Sequence, residues 1–446
     1  MHIMKTLKIC LITLLICLLL TLGGGVLVHT LSLEEADSAS TLNLTSEAVQ
    51  EVSEASSVSE SLPTSEPLPL PETFPEKDIT LMAVGDNLIH MGIIKTGRQK
   101  DDSYNFSFLF DNISDFLNAA DIKIINQETI LGGNQLGFSG FPRFNSPTEV
   151  GDAIADAGFN VVLHASNHSA DKELEGLLNC TNFWKTYPEI LITGIYADKQ
   201  GEEENREIPL LVIDDVTFAI LNYTYSTNSE TIPSSIVGHI NMLCSYDENN
   251  HLDFTSLNPQ VLTDIARAKE LADVVIVCPH WGTEYTTKPS RYQQEFAQQM
   301  TEAGADLIIG THPHVVQPVE WIDAPNGNRA LCYYSLGNYA STQKKGLTML
   351  EAMAWITFHV SEDGVTIQPE HTGAVPMVCH YNNRVRLEKI YLLEEYTDKL
   401  AAAHGIRSYG NVNLTLEELL NWSDEILGDW VLTKEFVLSQ SHCEYQ

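Results

Sequence analysis

The sequence predicts an α/β fold, a layered sandwich with mixed β-sheets flanked by helices. Three observations carry that expectation. From Ile79 onward, short apolar runs alternate with stretches of helical spacing, as in strands joined by helices. The run 210–221 reads as a hairpin turning at Asp214-Asp215, and alternating runs over 352–360 and 365–368 read as later strands. Together they ask for a second sheet. Acids, amides and imidazoles stand where the apolar runs stop, and the carboxyl ends of strands are where open α/β sheets place their sites.

Two segments of another kind come first. Lys5 and Lys8 precede an apolar run over residues 9–28, long enough to span a bilayer. Lysines stay on the cytoplasmic side, so the expected location is the cell membrane, single-pass, with the globular part extracellular. The alternative is a cleaved signal peptide. No convincing small-x-small cleavage site precedes Leu31, which favours an uncleaved signal-anchor over 1–30. Cys17 lacks the context of a lipid attachment site. Residues 31–77 are dominated by Ser, Glu and Pro and have almost no aromatic residues. Such a segment cannot bury enough apolar area to fold, and reads as a disordered, charged linker.

The folded part is expected over 78–380, followed by a C-terminal helical extension over 381–446. A strand over 79–84 ends in Gly85-Asp86. Helical spacing over 108–120 leads into a strand over 122–125. Ser146-Pro147-Thr148-Glu149 has the order of a cap, a first-turn proline and a capping glutamate, and that helix should stop at Gly158. A strand over 159–163 and a helix over 172–187 follow. Asn258-Pro259 opens a helix to residue 272, before a strand over 274–277. A helix over 290–303 stops at Gly304, before a strand over 307–309. Residues 331–334 make another strand, and 384–404 and 415–427 look like closing helices.

The 446-residue chain carries 25 Lys+Arg against 60 Asp+Glu, a net charge of −35. That balance excludes nucleic acid as a partner. Eight cysteines without a C-x-x-C pair make neither a zinc-cysteine pattern nor a disulfide-dense scaffold.

The strand ends carry the chemistry. Asp86, Asn87 and His90 follow the first strand, and Asn126 and Glu128 the second. His164, Asn167, His168 and Asp171 follow the third. His280, Trp281 and Glu284 follow the strand at 274–277. His312-Pro313-His314 follows the last apolar run; an extended backbone there would set both imidazoles on one side. A lone histidine is usually structural, but five such strand ends in one sheet converge. Two carboxylates, one asparagine oxygen and four imidazoles are too many for one tetrahedral zinc. They suit two cations sharing a carboxylate, ~3.5–4 Å apart. Oxygen and nitrogen ligands without thiolate favour manganese, iron or zinc.

Gly85-Asp86, Asn126-x-Glu128, Ser166-Asn-His-Ser-Ala-Asp171, His280-Trp-Gly-Thr-Glu284, Gly310-Thr-His-Pro-His314 and Ser335-Leu-Gly-Asn-Tyr339 occur in that order. The set resembles the CapA family, linked to poly-γ-glutamate capsule synthesis and similar to calcineurin-like metallophosphoesterases. The resemblance implies metal ligands at Asp86, Glu128, Asn167, His168, His280, His312 and His314. It departs at Leu88, where the phosphoesterase pattern has a histidine, and at Ser166, where the family often has Asn. His90 is a candidate replacement for the histidine missing at Leu88. His168, His280 and Glu284 are the catalytic candidates, and Arg143, Asp171 and Asn338 are candidates for holding substrate or ligands. The implied function is a metal-dependent hydrolase acting on an anionic envelope polymer such as poly-γ-glutamate. The alternative is a non-catalytic subunit that binds polymer and a membrane synthase during export or assembly.

Overall fold

The computed structural model describes residues 76–200 and 206–440. The expected membrane segment at 9–28 and nearly all of the 31–77 linker lie outside the described residues. Among the described residues no helix is long and apolar enough to cross a membrane.

The chain builds one sheet, leaves it for a second, and returns. Strands β1 (Lys77–Asn87), β2 (Ile122–Asn126), β3 (Val161–Leu163) and β4 (Leu191–Thr193) lie side by side and parallel. Next come β5 (Leu210–Ile213) and β6 (Val216–Thr224), then the separate pair β7 (Cys244–Tyr246) and β8 (Leu252–Leu257). After them come β9 (Val274–His280), β10 (Leu307–Ile309), β11 (Val319–Asp323) and β12 (Arg329–Tyr333). The second sheet has the order β11-β12-β10-β9-β6-β5, with β6, β9, β10 and β12 parallel. The chain then returns through β13 (Asn338–Ala340), β14 (Leu350–Ser361), β15 (Gly364–Ile367), β16 (Gly373–Tyr381) and β17 (Leu387–Leu392). The first sheet is therefore mixed: β17-β16-β14 run antiparallel beside the parallel β1-β2-β3-β4.

The sheets pack face to face. Phe218 of β6 meets Phe358 of β14 with ring centroids 5.3 Å apart. Strand periodicity sends the next residues outward. Ala219, Leu221, Val275 and Val277 join a second core with Val261 and Ile265 of one helix and Phe296 and Met300 of another. Ten helices flank the sheets among the described residues: α1 (Met91–Gly97), α2 (Ser114–Ala119), α3 (Glu149–Asp156), α4 (Glu173–Trp184), α5 (Pro259–Leu271), α6 (Arg291–Ala303), α7 (Asp398–Ala403), α8 (Ile406–Tyr409), α9 (Leu416–Leu427) and α10 (Lys434–Gln440). The helices of the second core are α5 and α6. On the far side of the first sheet, Phe116 of α2 sets its edge on Trp355. The expected layered sandwich is the one observed.

Local chemistry explains several ends. Ser290 and Gln293 cap α6 reciprocally, and Gly304 ends it at φ 119°. Asn258 caps α5 by accepting from the Gln260 N–H. Asp214 and Asp215, at φ 47° and 66°, make the turn that matches strand twist between β5 and β6. The cap expected at Ser146 is not used. Its hydroxyl lies 2.8 Å from that of Thr129, and α3 starts at Glu149. The region read as a helix over 108–120 is two 3-10 turns leading into the short α2.

The helix expected over 384–404 is the main correction. Leu387–Leu392 is β17, antiparallel to β16, followed by a 3-10 turn at Leu393–Glu395, and the α-helix there is only Asp398–Ala403. The turn at Asn382–Val385, with Val385 at φ 55°, makes a hairpin, and the open edge of β16 supplies hydrogen-bond partners that override helical spacing. Residues 381–446 are thus partly a piece of the first sheet. Cys180, Cys244, Cys278, Cys332 and Cys379 are free and buried.

This closing region contains an acid-sensitive contact. His404 Nε2 donates to the Cys379 carbonyl at 2.8 Å, and its Nδ1 accepts from the Ile406 N–H at 3.0 Å. Burial pushes its pKa down to about 3, against 6.5 for the ordinary group. The fold holds the neutral ring, while the unfolded chain takes up a proton below 6.5. Stability is therefore full above about pH 6.5 and falls as the pH drops toward 3, by roughly 1.4 kcal/mol per unit for this group. His404→Gln should flatten that slope in denaturant melts between pH 7 and 4. An unchanged slope would contradict the assignment.

Candidate metal centre

The carboxyl ends of β1, β2, β9 and β10 meet at the seam between the sheets. Gly85 lets β1 approach the loop before β13, since a Cβ there would lie 2.0 Å from the Gly337 carbonyl oxygen. Asp86 follows it, fully buried. Its Oδ1 accepts from Asn126 Nδ2 at 2.8 Å, both oxygens lie 3.2 Å from the His312 N–H nitrogen, and Oδ2 faces His314 Nδ1 at 3.0 Å.

Glu128 is the unusual group. It is buried, and neither carboxylate oxygen has a hydrogen-bond partner. Oε1 lies 3.8 Å from His280 Nε2 and Oε2 lies 3.9 Å from His314 Nδ1. Burial raises its pKa well above the usual carboxylate value, and the charges of Asp86, Glu284 and Asp171 raise it further. An unpaired buried carboxylate is costly, and a bound cation would reverse that cost. His280 and His312 are held far below the usual imidazole pKa, first by burial and then by neighbouring histidines. They are therefore neutral at physiological pH, the form that donates a lone pair. His312 Nδ1 is also buried without a partner.

Three ligand groups emerge, each with its atoms within 4.8 Å of one another: Glu128-His280-His312, Asp86-Glu128-His314 and Glu284-His312-His314. Glu128 belongs to two of them, the position of a bridging carboxylate. Asn167 Oδ1 lies 2.9 Å from His280 Nε2, close enough to share an ion with it. The donors fit divalent metal.

His168 is not in those groups. Its Nδ1 is 2.7 Å from Asp171 Oδ2, and its ring packs edge-on against Phe144 at 4.6 Å. Asp171 thus orients His168 rather than the substrate directly. His90, the candidate replacement for the histidine missing at Leu88, joins none of the three groups. It is half-buried, with Nδ1 3.1 Å from the Leu88 carbonyl and its ring against Phe144. Asn338 donates to the carbonyls of His314 and Thr348, bracing the histidine loop from below. Glu284 stands at the mouth, its side chain 43% exposed and Oε1 4.0 Å from His314 Nε2. Arg143 lies to one side, its Nε donating to the Asp171 carbonyl at 3.0 Å.

The expected extended run His312-Pro313-His314 is overturned. His312 has φ 96° and His314 φ 57°, a left-handed path that costs roughly 1–3 kcal/mol per residue. The turn lets the His312 N–H reach Asp86 and leaves the two rings 5.7 Å apart. Three neighbours escaped the sequence reading. The Tyr225 ring lies 4.6 Å from that of His312, and Asn228 Nδ2 is 3.4 Å from His168 Nδ1. The Tyr285 ring is 5.9 Å from His314 and carries the Lys345 ammonium 3.6 Å from its centre. The signal for the first two was the strand 216–224, whose end was placed too early.

Residues 80–343 match the family description "Bacterial capsule synthesis protein PGA_cap". The chain is 28% identical over 302 residues to the capsule biosynthesis protein CapA of Bacillus anthracis, covering 65% of this chain and 66% of that protein. It is 28% identical over 213 residues to the PGA biosynthesis protein CapA of Bacillus subtilis, covering 47% of this chain and 50% of that protein. The chain thus spans between half and just under two thirds of the length of these relatives. A putative 5'-nucleotidase from Staphylococcus aureus overlaps 78% of this chain and 59% of its own at 13% identity and a TM-score of 0.37, too low to carry an argument. With the family match running from β1 through β13, and so across every ligand named above, the chain belongs to the bacterial capsule synthesis protein family PGA_cap, the family of the CapA proteins.

Proposed function

We propose that the chain is a metal-dependent hydrolase of metallophosphoesterase type, anchored in the cell membrane by residues 9–28 with its folded part extracellular. It would cut an anionic envelope polymer, poly-γ-glutamate, during capsule synthesis. The observation that carries this reading is Glu128, a buried carboxylate with no hydrogen-bond donor, set among imidazoles and shared by two ligand groups. Asp86, Glu128, Asn167, His280, His312 and His314 would hold two divalent ions, manganese, iron or zinc by their donor set. Such ions supply Lewis acidity that activates water and offsets charge on a departing oxygen or nitrogen. The protein orients and moves protons. Asp171 fixes the His168 ring so that its other nitrogen is the one left to act, and Glu284, half exposed at the mouth, would protonate the leaving group.

Elemental analysis of the purified full chain should find about two ions per molecule. The loaded protein should then shorten poly-γ-glutamate or hydrolyse a phosphoester. A folded, carefully handled sample with no metal would end the reading. Metal and polymer binding without cleavage would favour the assembly-subunit reading instead.

A further inference from the structure

Beside the centre lies a cavity of about 450 Å³ to which no role has been given. Arg143, Asp171, Glu173, Thr227 and Asn228 are among its lining residues. It is wired to the centre. The Asp171 carboxylate accepts from the Phe144 N–H at 2.5 Å and meets His168, while the Asp171 carbonyl holds Arg143 Nε. Asn228 spans the same boundary, accepting from Asn167 Nδ2 at 3.1 Å while its own amide faces His168. Asn228 does so at φ 58°, the left-handed conformation that asparagine adopts readily.

Two features of the cavity call for a ligand. Thr227 is 8% exposed, and its buried hydroxyl has no hydrogen-bond partner. Buried hydroxyls are normally satisfied. The other is Arg143. Only its Nε is fixed. The Nη2 has a loose contact of 3.6 Å with Glu173, whose side chain is 79% exposed. An exposed pair at that distance is weak. A carboxylate or phosphate entering the cavity would give the guanidinium a two-point contact and the Thr227 hydroxyl an acceptor. The Asp171 carboxylate lines the cavity as well, with its Oδ2 turned to the Phe144 N–H and His168 rather than to the opening. Glu173 opposes the anion directly, and it would have to swing away.

We propose that this cavity is the subsite for an oxyanion of the substrate, a carboxylate or a phosphate next to the bond that is cut. Arg143 reads it and the Thr227 hydroxyl donates to it. This rests on the hydrolase reading, and it adds the residues that choose an anionic substrate. The chain's acidic balance makes such a cation necessary, since a polyanion would otherwise be repelled.

Calorimetric titration of the full chain with a γ-linked glutamate oligomer, and separately with inorganic phosphate, tests it. Arg143→Gln should weaken binding by about 10- to 100-fold. Arg143→Lys should restore only part, because an ammonium lacks the fork. Thr227→Val should weaken binding less, and Glu173→Gln should strengthen it by removing the competitor. A merely structural Arg143 would not give opposite signs for the two partners of one ion pair. The probe that responds tells carboxylate from phosphate. Wild-type protein that binds neither, or Arg143 and Thr227 variants that bind as wild type does, would overturn the subsite. If Arg143→Gln fails to fold, Arg143→Lys and Glu173→Gln decide. Metal content, measured alongside, keeps the two failures apart: a metal-free wild type defeats the hydrolase, while the titrations still judge the cavity.

Discussion

Glu128→Ala should empty the metal centre while leaving the fold standing. The Glu128 side chain makes no hydrogen bond, so truncating it breaks none. It is a destabilising group in the metal-free protein, buried and raised in pKa by burial first and by Asp86, Glu284 and Asp171 after that. Removing it should leave the metal-free melting temperature unchanged or higher. The loss falls on the metals. Glu128 belongs to two of the three ligand groups, so in the two-ion reading each ion would lose a ligand. Affinity should drop by more than the ~10–100-fold that changes behind the ligands cost. His312→Ala with His314→Ala should do the same. A structural role predicts the reverse: a lower melting temperature and unchanged metal content. Calorimetry and elemental analysis on the same samples separate the two.

Glu284→Gln should keep both ions and lose turnover by ~10²–10⁴-fold. The amide preserves shape and hydrogen bonding and removes the proton. Position supports a proton donor, since the side chain is half exposed where a leaving group would depart. It is also the third member of a possible ligand group with His312 and His314, which gives the test its second arm. If metal falls together with activity, Glu284 is a ligand. If turnover is unchanged with metal retained, it is neither. For a general acid, the variant should also lose the alkaline limb of the rate profile.

What was legible in the sequence was whatever depended on neighbours along the chain. The helix from residue 290 stops at Gly304, and Asp214-Asp215 turn a two-residue hairpin. Strand ends announced Asp86, Glu128, His280 and His312 because a polar residue after an apolar run is visible locally. What failed depended on distant partners. Residues 387–392 became a strand because β16 offered an open edge, and β16 was itself hidden by Pro376. The geometry of His312 and His314 could not be read from alternation, because Asp86, far earlier in the chain, pulls the loop into a left-handed path. His168 enters none of the three ligand groups, and its ring is held by Asp171 and by Phe144 of a preceding loop.

The return of the chain to its first sheet has a consequence for how the protein is made. β1 carries Asp86 and sits between β2, which follows soon after it, and β14, which is synthesised after the whole second sheet. Until Leu350–Ser361 arrives, β1 has one open edge and an apolar flank with nothing to cover it. Loop closure over that span is slow, and an unpaired apolar edge invites pairing with other chains. The interval between making β1 and making β14 is therefore a stage at which a growing chain is exposed to wrong pairing, and the strand that carries Asp86 is held on both edges only after every other candidate ligand has been made.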